Sequence, residues 1–194
     1  MIDLQLPVEE EKIRNLKVGD EVGITGTMIT ARDAAHKYLI EEQPDFIRPY
    51  LENSLIYHCG PVVRKSESGW EFVAAGPTTS IREEPYEGTV ISEYSVRGVI
   101  GKGGMGAKTL QALHDYGAVY LHAIGGMASY LAQTVKRVEE VFMLEEFGVP
   151  EAMWVIEVER FPAVVTMDSH HESLHNKVKT DSEAAAHRLI HPVR

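Results

Sequence analysis

The stretch Gly76–Gly106, GPTTSIREEPYEGTVISEYSVRGVIGKGGMG, contains two glycine-rich loops around which the rest of the chain is organised. The first loop, residues 76–82, places three consecutive hydroxyl side chains before Arg82. The second loop, residues 101–106, follows an apolar segment, carries Lys102 and precedes a helix-like segment. Free backbone N–H groups, a helix start and two cations all favour a carboxylate or a phosphate. The two loops therefore predict an anion site, although turn chemistry alone would also explain the glycines and the proline.

Size and composition indicate an ordinary globular chain. With 194 residues, 44% hydrophobic and 25% charged, a single domain over residues 1–194 is expected. The net charge of −10 argues against a general nucleic-acid or anionic-membrane surface, so cations for an anionic substrate must be concentrated in one site. The N-terminus lacks the basic and apolar regions of a signal peptide, and no apolar stretch reaches the ~20 residues needed to span a bilayer. We expect a cytoplasmic location.

The sequence contains one cysteine, Cys59, which excludes an internal disulfide. An iron–sulfur cluster usually needs three or four thiolates, so this chain cannot hold one by itself. Because Cys59 lies within a strand-like pattern, packing as a small buried hydrophobic residue is favoured over metal or redox work.

The pattern of strands and helices predicts an α/β chain. A strand at 21–29 is followed by a helix to about Gln43, opened by a Thr30-x-x-Asp33 capping pattern and stopped by Pro44. Two strands, 55–64 and 70–75, are joined by a turn at 66–69, and Pro61 marks an edge or an interruption. Further predictions are helices beginning near Pro85 and at 108–116 and 127–139, strands at 96–100, 119–121, 141–144, 153–158 and 163–167, and a polar peripheral tail at 169–194.

Three other features have competing interpretations. The second loop matches the dinucleotide pattern G-x-G-x-x-G, but no ribose-binding acid stands at the expected distance. His170, His171 and His175 could bind a metal, yet exposed histidines in a polar tail are more often solvated, and we expect no metal site. Arg32 opposes the dipole of the helix that it precedes, so it either pairs with a surface carboxylate or faces an anion at the helix start.

Five blocks of sequence resemble the β subunit of class I fumarases and L-tartrate dehydratases, which is similar to the C-terminal domain of single-chain class I fumarases. These blocks are GTMITARDAAH at 26–36, YHCGP at 57–61, GPTTSIR at 76–82, IGKGGM at 100–105 and EEFGVPEAMW at 145–154. The resemblance implies a three-layer swivelling β/β/α domain and a reversible hydro-lyase acting on a four-carbon dicarboxylate. It also implies a [4Fe–4S] cluster on a partner α subunit, whose open iron is a Lewis acid, and an assembly of dimerised αβ pairs.

The resemblance further assigns roles by motif position. It implies that Thr78 is the catalytic base and that Arg32, Arg82 and Lys102 bind the substrate carboxylates, with Thr79, Gly101, Gly103 and Gly104 as possible supporting residues. Cations suit this role because they would also stabilise the dianion formed when a carbon beside a carboxylate loses its proton. Thr79 and Ser80 serve as controls: if they only cap the turn, their alanine variants should retain most of the activity.

The residues leave the substrate and even the class of function open. Fumarate and tartrate both present two carboxylates, so hydration of fumarate to L-malate and dehydration of L(+)-tartrate are both compatible with this site. A stand-alone module that binds a nucleotide or an organic acid without chemistry is a third interpretation.

Overall fold

A computed structural model describes residues 1–67 and 69–190 as a mixed α/β chain. The strands are β1 (Ile2–Gln5), β2 (Glu21–Thr30), β3 (Leu55–Tyr57), β4 (Val62–Ser66), β5 (Gly69–Ala74), β6 (Gly98–Gly101), β7 (Val119–His122), β8 (Val135–Phe142) and β9 (Met153–Met167). The helices are α1 (Glu10–Arg14), α2 (Asp33–Glu42), α3 (Arg48–Leu51), α4 (Glu84–Tyr94), α5 (Ala107–Tyr116), α6 (Ala128–Thr134), α7 (Leu144–Phe147) and α8 (Leu174–Ile190). Short 3₁₀ segments cover Asp45–Ile47, Ser80–Glu83 and Gly125–Met127.

The main sheet closes on itself. Its strand order is β1-β2-β3-β6-β7-β9-β8, and an additional pairing joins β2 to β9. Strands β1, β2, β3, β6 and β7 run parallel to one another in that order. Strand β9 is antiparallel to β7, β2 and β8. Strands β4 and β5 form a separate hairpin. The predicted α/β class is confirmed, and the sheet forms a barrel-like ring of β2, β3, β6, β7 and β9.

Successive side chains of a strand point to opposite faces of the sheet, and both faces of the parallel strands are buried. In β7, Val119 and Leu121 belong to one apolar core while Tyr120 belongs to the other. The first core includes Trp154 and Phe161. The second core contains buried side chains of α2, α4 and α5, so these helices cover the other face of the strands.

The parallel strands end at one edge of the ring, and this edge positions the site. Thr30 pairs with Tyr57, Tyr57 with Ile100, and Gly101 with His122. The residues that follow these strand ends therefore meet at the same edge. In open α/β sheets, ligands also bind beyond the carboxyl ends of parallel strands.

The predicted helix at 127–139 is wrong beyond Thr134, where strand β8 begins. Val135, Val138 and Val141 recur at every third position, a spacing that is also compatible with a helix. In the structure all three pack on the first core, since β8 is irregular between Val135 and Arg137 and again between Val138 and Glu140. An extra residue at each bulge converts the period of two into a spacing of three. The strand predicted at 141–144 is the end of β8.

Two further predictions about local structure need correction. The strands predicted at 153–158 and 163–167 form the single strand β9, which continues through a bulge where Arg160 has φ +51°. Thr30 does not cap α2: it is the last residue of β2, and its hydroxyl accepts a hydrogen bond from the Trp154 N–H at 3.2 Å. The predicted turn at 66–69 includes Ser68, which lies outside the described residues.

The C-terminal segment is helical over Leu174–Ile190, and no residue of this helix is buried. The chain before it is attached to the sheet, because the Asp168 carboxylate accepts hydrogen bonds from the N–H groups of Val18, His170 and Glu172. Residues 191–194 of the predicted tail lie outside the described residues. Among the helices that the structure describes, none has the length and apolar character required to cross a membrane.

Candidate active site at the carboxyl ends of the strands

Backbone hydrogen bonds join the two glycine-rich loops to the end of β3. The Thr78 N–H donates to the His58 carbonyl at 2.7 Å, and the Lys102 N–H donates to the Thr78 carbonyl at 3.2 Å. The Ser80 N–H then donates to the Lys102 carbonyl at 3.0 Å. The two loops thus extend the sheet beyond its regular strands, which fixes Thr78 beside Lys102.

Three of the predicted site residues lie together at this edge. The Thr78 hydroxyl is partly buried and donates to the His58 carbonyl at 3.2 Å. The Arg82 side chain retains 48% of its exposure, and its Nε lies 3.9 Å from Asp33 Oδ1. The Lys102 side chain passes Gly125, and no ion pair to its ammonium group occurs within residues 1–67 and 69–190. The two loops that carry this hydroxyl thus also carry two weakly neutralised cations.

The fourth residue, Arg32, already has a carboxylate partner within the chain. Its Nη2 lies 3.1 Å from Glu151 Oε1, and both side chains are largely buried. The other oxygen of Glu151 accepts a hydrogen bond from the Ala34 N–H in the first turn of α2. Gly60 leaves room for the guanidinium, because a Cβ at this position would overlap the Arg32 side chain. An internal glutamate therefore occupies the anion position predicted at the start of this helix.

Glu84 occupies the corresponding position at the start of α5. Its carboxylate accepts hydrogen bonds from the N–H groups of Gly106, Lys108 and Thr109, at 2.6, 3.0 and 3.3 Å, and from the Thr109 hydroxyl at 2.7 Å. The prediction that this helix start receives a substrate anion is therefore wrong. The dinucleotide interpretation also fails here, because a pyrophosphate would have to displace Glu84 from these donors.

Close packing explains the glycines of the second loop. Gly103 and Gly104 have φ +86° and +78°, a region that favours glycine. A Cβ at Gly104 would overlap the His175 ring, and a Cβ at Gly101 would overlap the Ser80 hydroxyl. Thr79 is exposed and pairs with Lys102 through a backbone bridge.

A buried polar cluster that the sequence reasoning missed lies beneath the loops. It consists of His36, His58, Ser80, Glu87 and Tyr120, whose side chains are all fully buried. His58 Nε2 lies 2.9 Å and His36 Nε2 lies 3.1 Å from Glu87 Oε2. His58 Nδ1 lies 2.9 Å from Ser80 Oγ, which accepts a hydrogen bond from the Tyr120 hydroxyl at 2.8 Å. Ser80 therefore does more than cap a turn.

Charge interactions within the cluster distribute its protons. Burial would raise the pKa of Glu87, but His36 foremost, together with His58, outweighs this effect and lowers that pKa to about 2. Burial would lower the pKa of His36, but the Glu87 carboxylate outweighs it and raises that pKa. Burial lowers the pKa of His58 despite its bond to Glu87. The cluster thus consists of an ion pair between His36 and Glu87 with a neutral His58.

The buried cluster contains three residues of the types that bind metal ions, namely His36, His58 and Glu87. Ligand atoms of His36, His58 and Glu87 lie within 4.8 Å of one another. One proton on His36 already balances the charge of Glu87, so the cluster needs no cation. The tail histidines diverge instead: His170 contacts the Arg14 carbonyl, His171 stacks on His114, and His175 contacts Thr166.

Glu83 and Asp33 form an acidic pair next to this cluster. Burial foremost, and then the neighbouring Asp33 carboxyl group, raises the pKa of Glu83 to about 8. No donor contacts either oxygen of the Glu83 carboxyl group within the described part of the chain. Asp33 also faces Arg82, so this acidic pair borders the exposed cation of the site.

Comparison with known proteins defines the class of this closed α/β chain. Residues 1–178 match the family described as Fumarase C-terminus. The chain is 54% identical over its whole length to "Putative fumarate hydratase class I" of Geobacillus stearothermophilus, but it spans only 37% of that protein. It is 43% identical to "Putative L(+)-tartrate dehydratase subunit beta" of Methanocaldococcus jannaschii, with 93% of this chain and 94% of the relative covered.

A third relative is "L(+)-tartrate dehydratase subunit beta" of Escherichia coli (strain K12), which is 39% identical over 88% of this chain and 85% of its own length. The protein belongs to the Fumarase C-terminus family. The resemblance seen in the five sequence blocks is therefore confirmed.

Proposed function

We propose that this chain is the β subunit of a hydro-lyase that reversibly hydrates fumarate to L-malate. The observation that carries the proposal is the junction of the two loops, where Thr78 lies hydrogen-bonded to Lys102 and Arg82 remains half exposed. Two cations on the loops that carry a hydroxyl suit a substrate with two carboxylates and a proton that is exchanged at the carbon beside one of them. The relative named as a class I fumarate hydratase has the highest identity of those described above.

In this proposal Thr78 exchanges the substrate proton, while Arg82 and Lys102 hold the carboxylates. Arg82 engages one carboxylate through its planar fork, and Lys102 acts as a point charge. Both cations stabilise the charge that develops when the proton leaves carbon. Arg32 contributes to the site while paired with Glu151, which orients its guanidinium. Thr79, Gly101, Gly103 and Gly104 act as supporting residues by keeping the two loops in contact.

The residues of this chain do not fit an iron–sulfur cluster. Cys59 is the one cysteine of the sequence and is buried, and burial foremost raises the pKa of its thiol to about 12. A thiol that retains its proton and is inaccessible to solvent is a poor metal ligand. We therefore place the [4Fe–4S] cluster on a partner α subunit, and activity requires that partner. The names of two relatives as β subunits support a partner of this kind.

We further propose that residues 1–194 form one domain, with 169–194 as a peripheral tail. Its sheet and helices form a three-layer swivelling unit that meets the α subunit. The αβ pairs dimerise in the cytoplasm without nucleic acid or membrane as partners. The closed sheet with helices over its outer core is compatible with this arrangement.

L(+)-tartrate dehydration is the second candidate, because the chain covers most of two β subunits with that name. A substrate panel on the complex with a candidate α subunit tests the choice. We expect conversion of fumarate and L-malate to exceed that of L(+)-tartrate in kcat/KM. A reversed preference would assign the chain to tartrate, and binding of a nucleotide without turnover would contradict both activities.

A further inference from the structure

We propose that His58 is a positioning residue of the active site, which acts as a neutral imidazole with its proton on Nε2. This inference rests on the proposed function, because it concerns the placement of Thr78 and Lys102. His58 follows strand β3, and its carbonyl accepts both the N–H and the hydroxyl of Thr78. The His58 carbonyl thereby holds the proposed base, while the contacts of the buried ring with Ser80 and Glu87 anchor His58 itself.

The donors and acceptors of the cluster determine the tautomer. Glu87 is a carboxylate and accepts hydrogen bonds only, so each imidazole that contacts it must present an N–H. His58 therefore carries a proton on Nε2, 2.9 Å from Glu87 Oε2. His36 Nε2 forms a 3.1 Å ion-pair contact with Glu87, and Nδ1 lies 2.9 Å from the Arg32 carbonyl; because both nitrogens face acceptors, the ring is an imidazolium.

The other side of the His58 ring completes the chain of hydrogen bonds. The Tyr120 hydroxyl donates to Ser80 Oγ, so the Ser80 proton is available for His58 Nδ1. A protonated Nδ1 would add a second buried cation beside His36, whose ring centroid lies 5.0 Å from that of His58. Nδ1 is therefore an acceptor, and the direction of each hydrogen bond from Tyr120 to Glu87 is defined.

This chain of hydrogen bonds connects the parts of the site that come from different segments. It reaches the Arg32 carbonyl before α2, the first loop through Ser80, and the second loop because the Ser80 N–H donates to the Lys102 carbonyl. Removing the Ser80 hydroxyl would release His58 Nδ1 and the Tyr120 hydroxyl together. A small displacement of Thr78 relative to the substrate would follow, which costs catalysis more than binding.

The test compares Ser80→Ala with Ser54→Ala in the complex with the α subunit. Ser54 is a matched control, because it is also buried and donates to a backbone carbonyl, that of Thr27, away from the loops. We expect Ser80→Ala to lower kcat about tenfold or more with KM changed less than about threefold. Ser54→Ala should lower the melting temperature similarly and leave kcat within about twofold of the unaltered protein.

A second measurement determines which nitrogen of the His58 ring carries the proton, independently of catalysis. Nitrogen-15 NMR of the full chain, with the His58 signals assigned by loss in His58→Asn, should show a protonated Nε2 and an unprotonated Nδ1. A protonated Nδ1 would overturn the proposal. An active complex in which the two serine variants have equal kcat would overturn the positioning role alone. The expected tautomer in a complex without hydro-lyase activity would overturn the proposed function, and with it the catalytic consequence of His58.

Discussion

The Glu84 carboxylate accepts a 2.6 Å hydrogen bond from the N–H of Gly106, the residue immediately before α5. The same carboxylate accepts from Lys108 and from both donors of Thr109, so it neutralises the positive end of the helix. Glu84 is itself the first residue of α4, so the contact joins two helices that cover the same core. Glu84 thus satisfies three backbone donors at the start of α5.

Replacement of Glu84 by alanine should therefore destabilise the chain. The variant leaves several donors at the start of α5 without an acceptor, and we expect a loss of about 1–3 kcal/mol in the free energy of unfolding. Chemical denaturation monitored by circular dichroism measures it. Glu93→Ala, an exposed position of the same helix, should stay within about 0.5 kcal/mol. Equal stability of the two variants would contradict the capping role of Glu84.

Thr78→Ala should remove proton transfer and leave the cations that hold the substrate. We expect kcat to fall about 10²-fold or more with little change in KM, measured by steady-state kinetics of the complex with its cluster intact. Thr79→Ala is the control, because that side chain is exposed and the residue pairs with Lys102 through a backbone bridge. An inactive Thr79→Ala together with an active Thr78→Ala would transfer the role of base to the neighbouring residue.

Arg82→Ala and Lys102→Ala should raise KM as well as lower kcat/KM. Each change removes a charge-assisted contact of roughly 1.5–3 kcal/mol from a substrate carboxylate in both the ground state and the transition state. Arg32→Ala should differ because it also breaks the partly buried pair with Glu151, so its melting temperature should fall further than that of Arg82→Ala. Kinetics and thermal melts on the three variants separate the two effects. An unchanged KM in both Arg82→Ala and Lys102→Ala would argue against carboxylate binding.

The raised pKa of Glu83 predicts a pH-dependent stability. Between its ordinary value of 4.5 and about 8, the folded chain holds a proton on Glu83 that the unfolded chain has released. Folded protein then binds more protons than unfolded protein, so this group lowers stability as the pH rises through that range. Glu83→Gln should raise the melting temperature at a pH of about 8 and have little effect near pH 4.5. A variant without this difference between the two conditions would contradict the assignment.

Much of the architecture follows from the sequence because its parallel strands and amphipathic helices have clear periods. The strand predicted at 21–29 and the helix predicted at 108–116 are confirmed within one residue at each end. Only the end of β8 was predicted as a strand. Its two bulges depend on pairing with β9, and they give the valines a spacing that is compatible with a helix. Closure of the ring through β2 and β9 is likewise a long-range pairing that no local pattern encodes.

The local sequence marks candidate cations and hydroxyls but not the groups that contact them. Glu84 and Glu151 could not be assigned to helix starts, since their partners lie 22 and 117 positions away in the chain. The buried cluster did leave a signal: Glu87 precedes Val90, Ile91 and Tyr94 at helical spacing, which places an acid on the apolar face of α4. A carboxylate at such a position indicates a buried partner, which the structure identifies as His36 and His58.

We propose that this chain supplies Thr78, Arg82 and Lys102 to a hydro-lyase site that a partner subunit completes. The most direct measurement is fumarate hydration, followed by the loss of fumarate absorbance under anaerobic conditions, for the purified chain and for its complex with a candidate α subunit. We predict no hydration by the purified chain and L-malate formation by the complex, abolished by Thr78→Ala. Hydration by the purified chain free of partner and metal, or full activity of a complex carrying Thr78→Ala, would contradict the account.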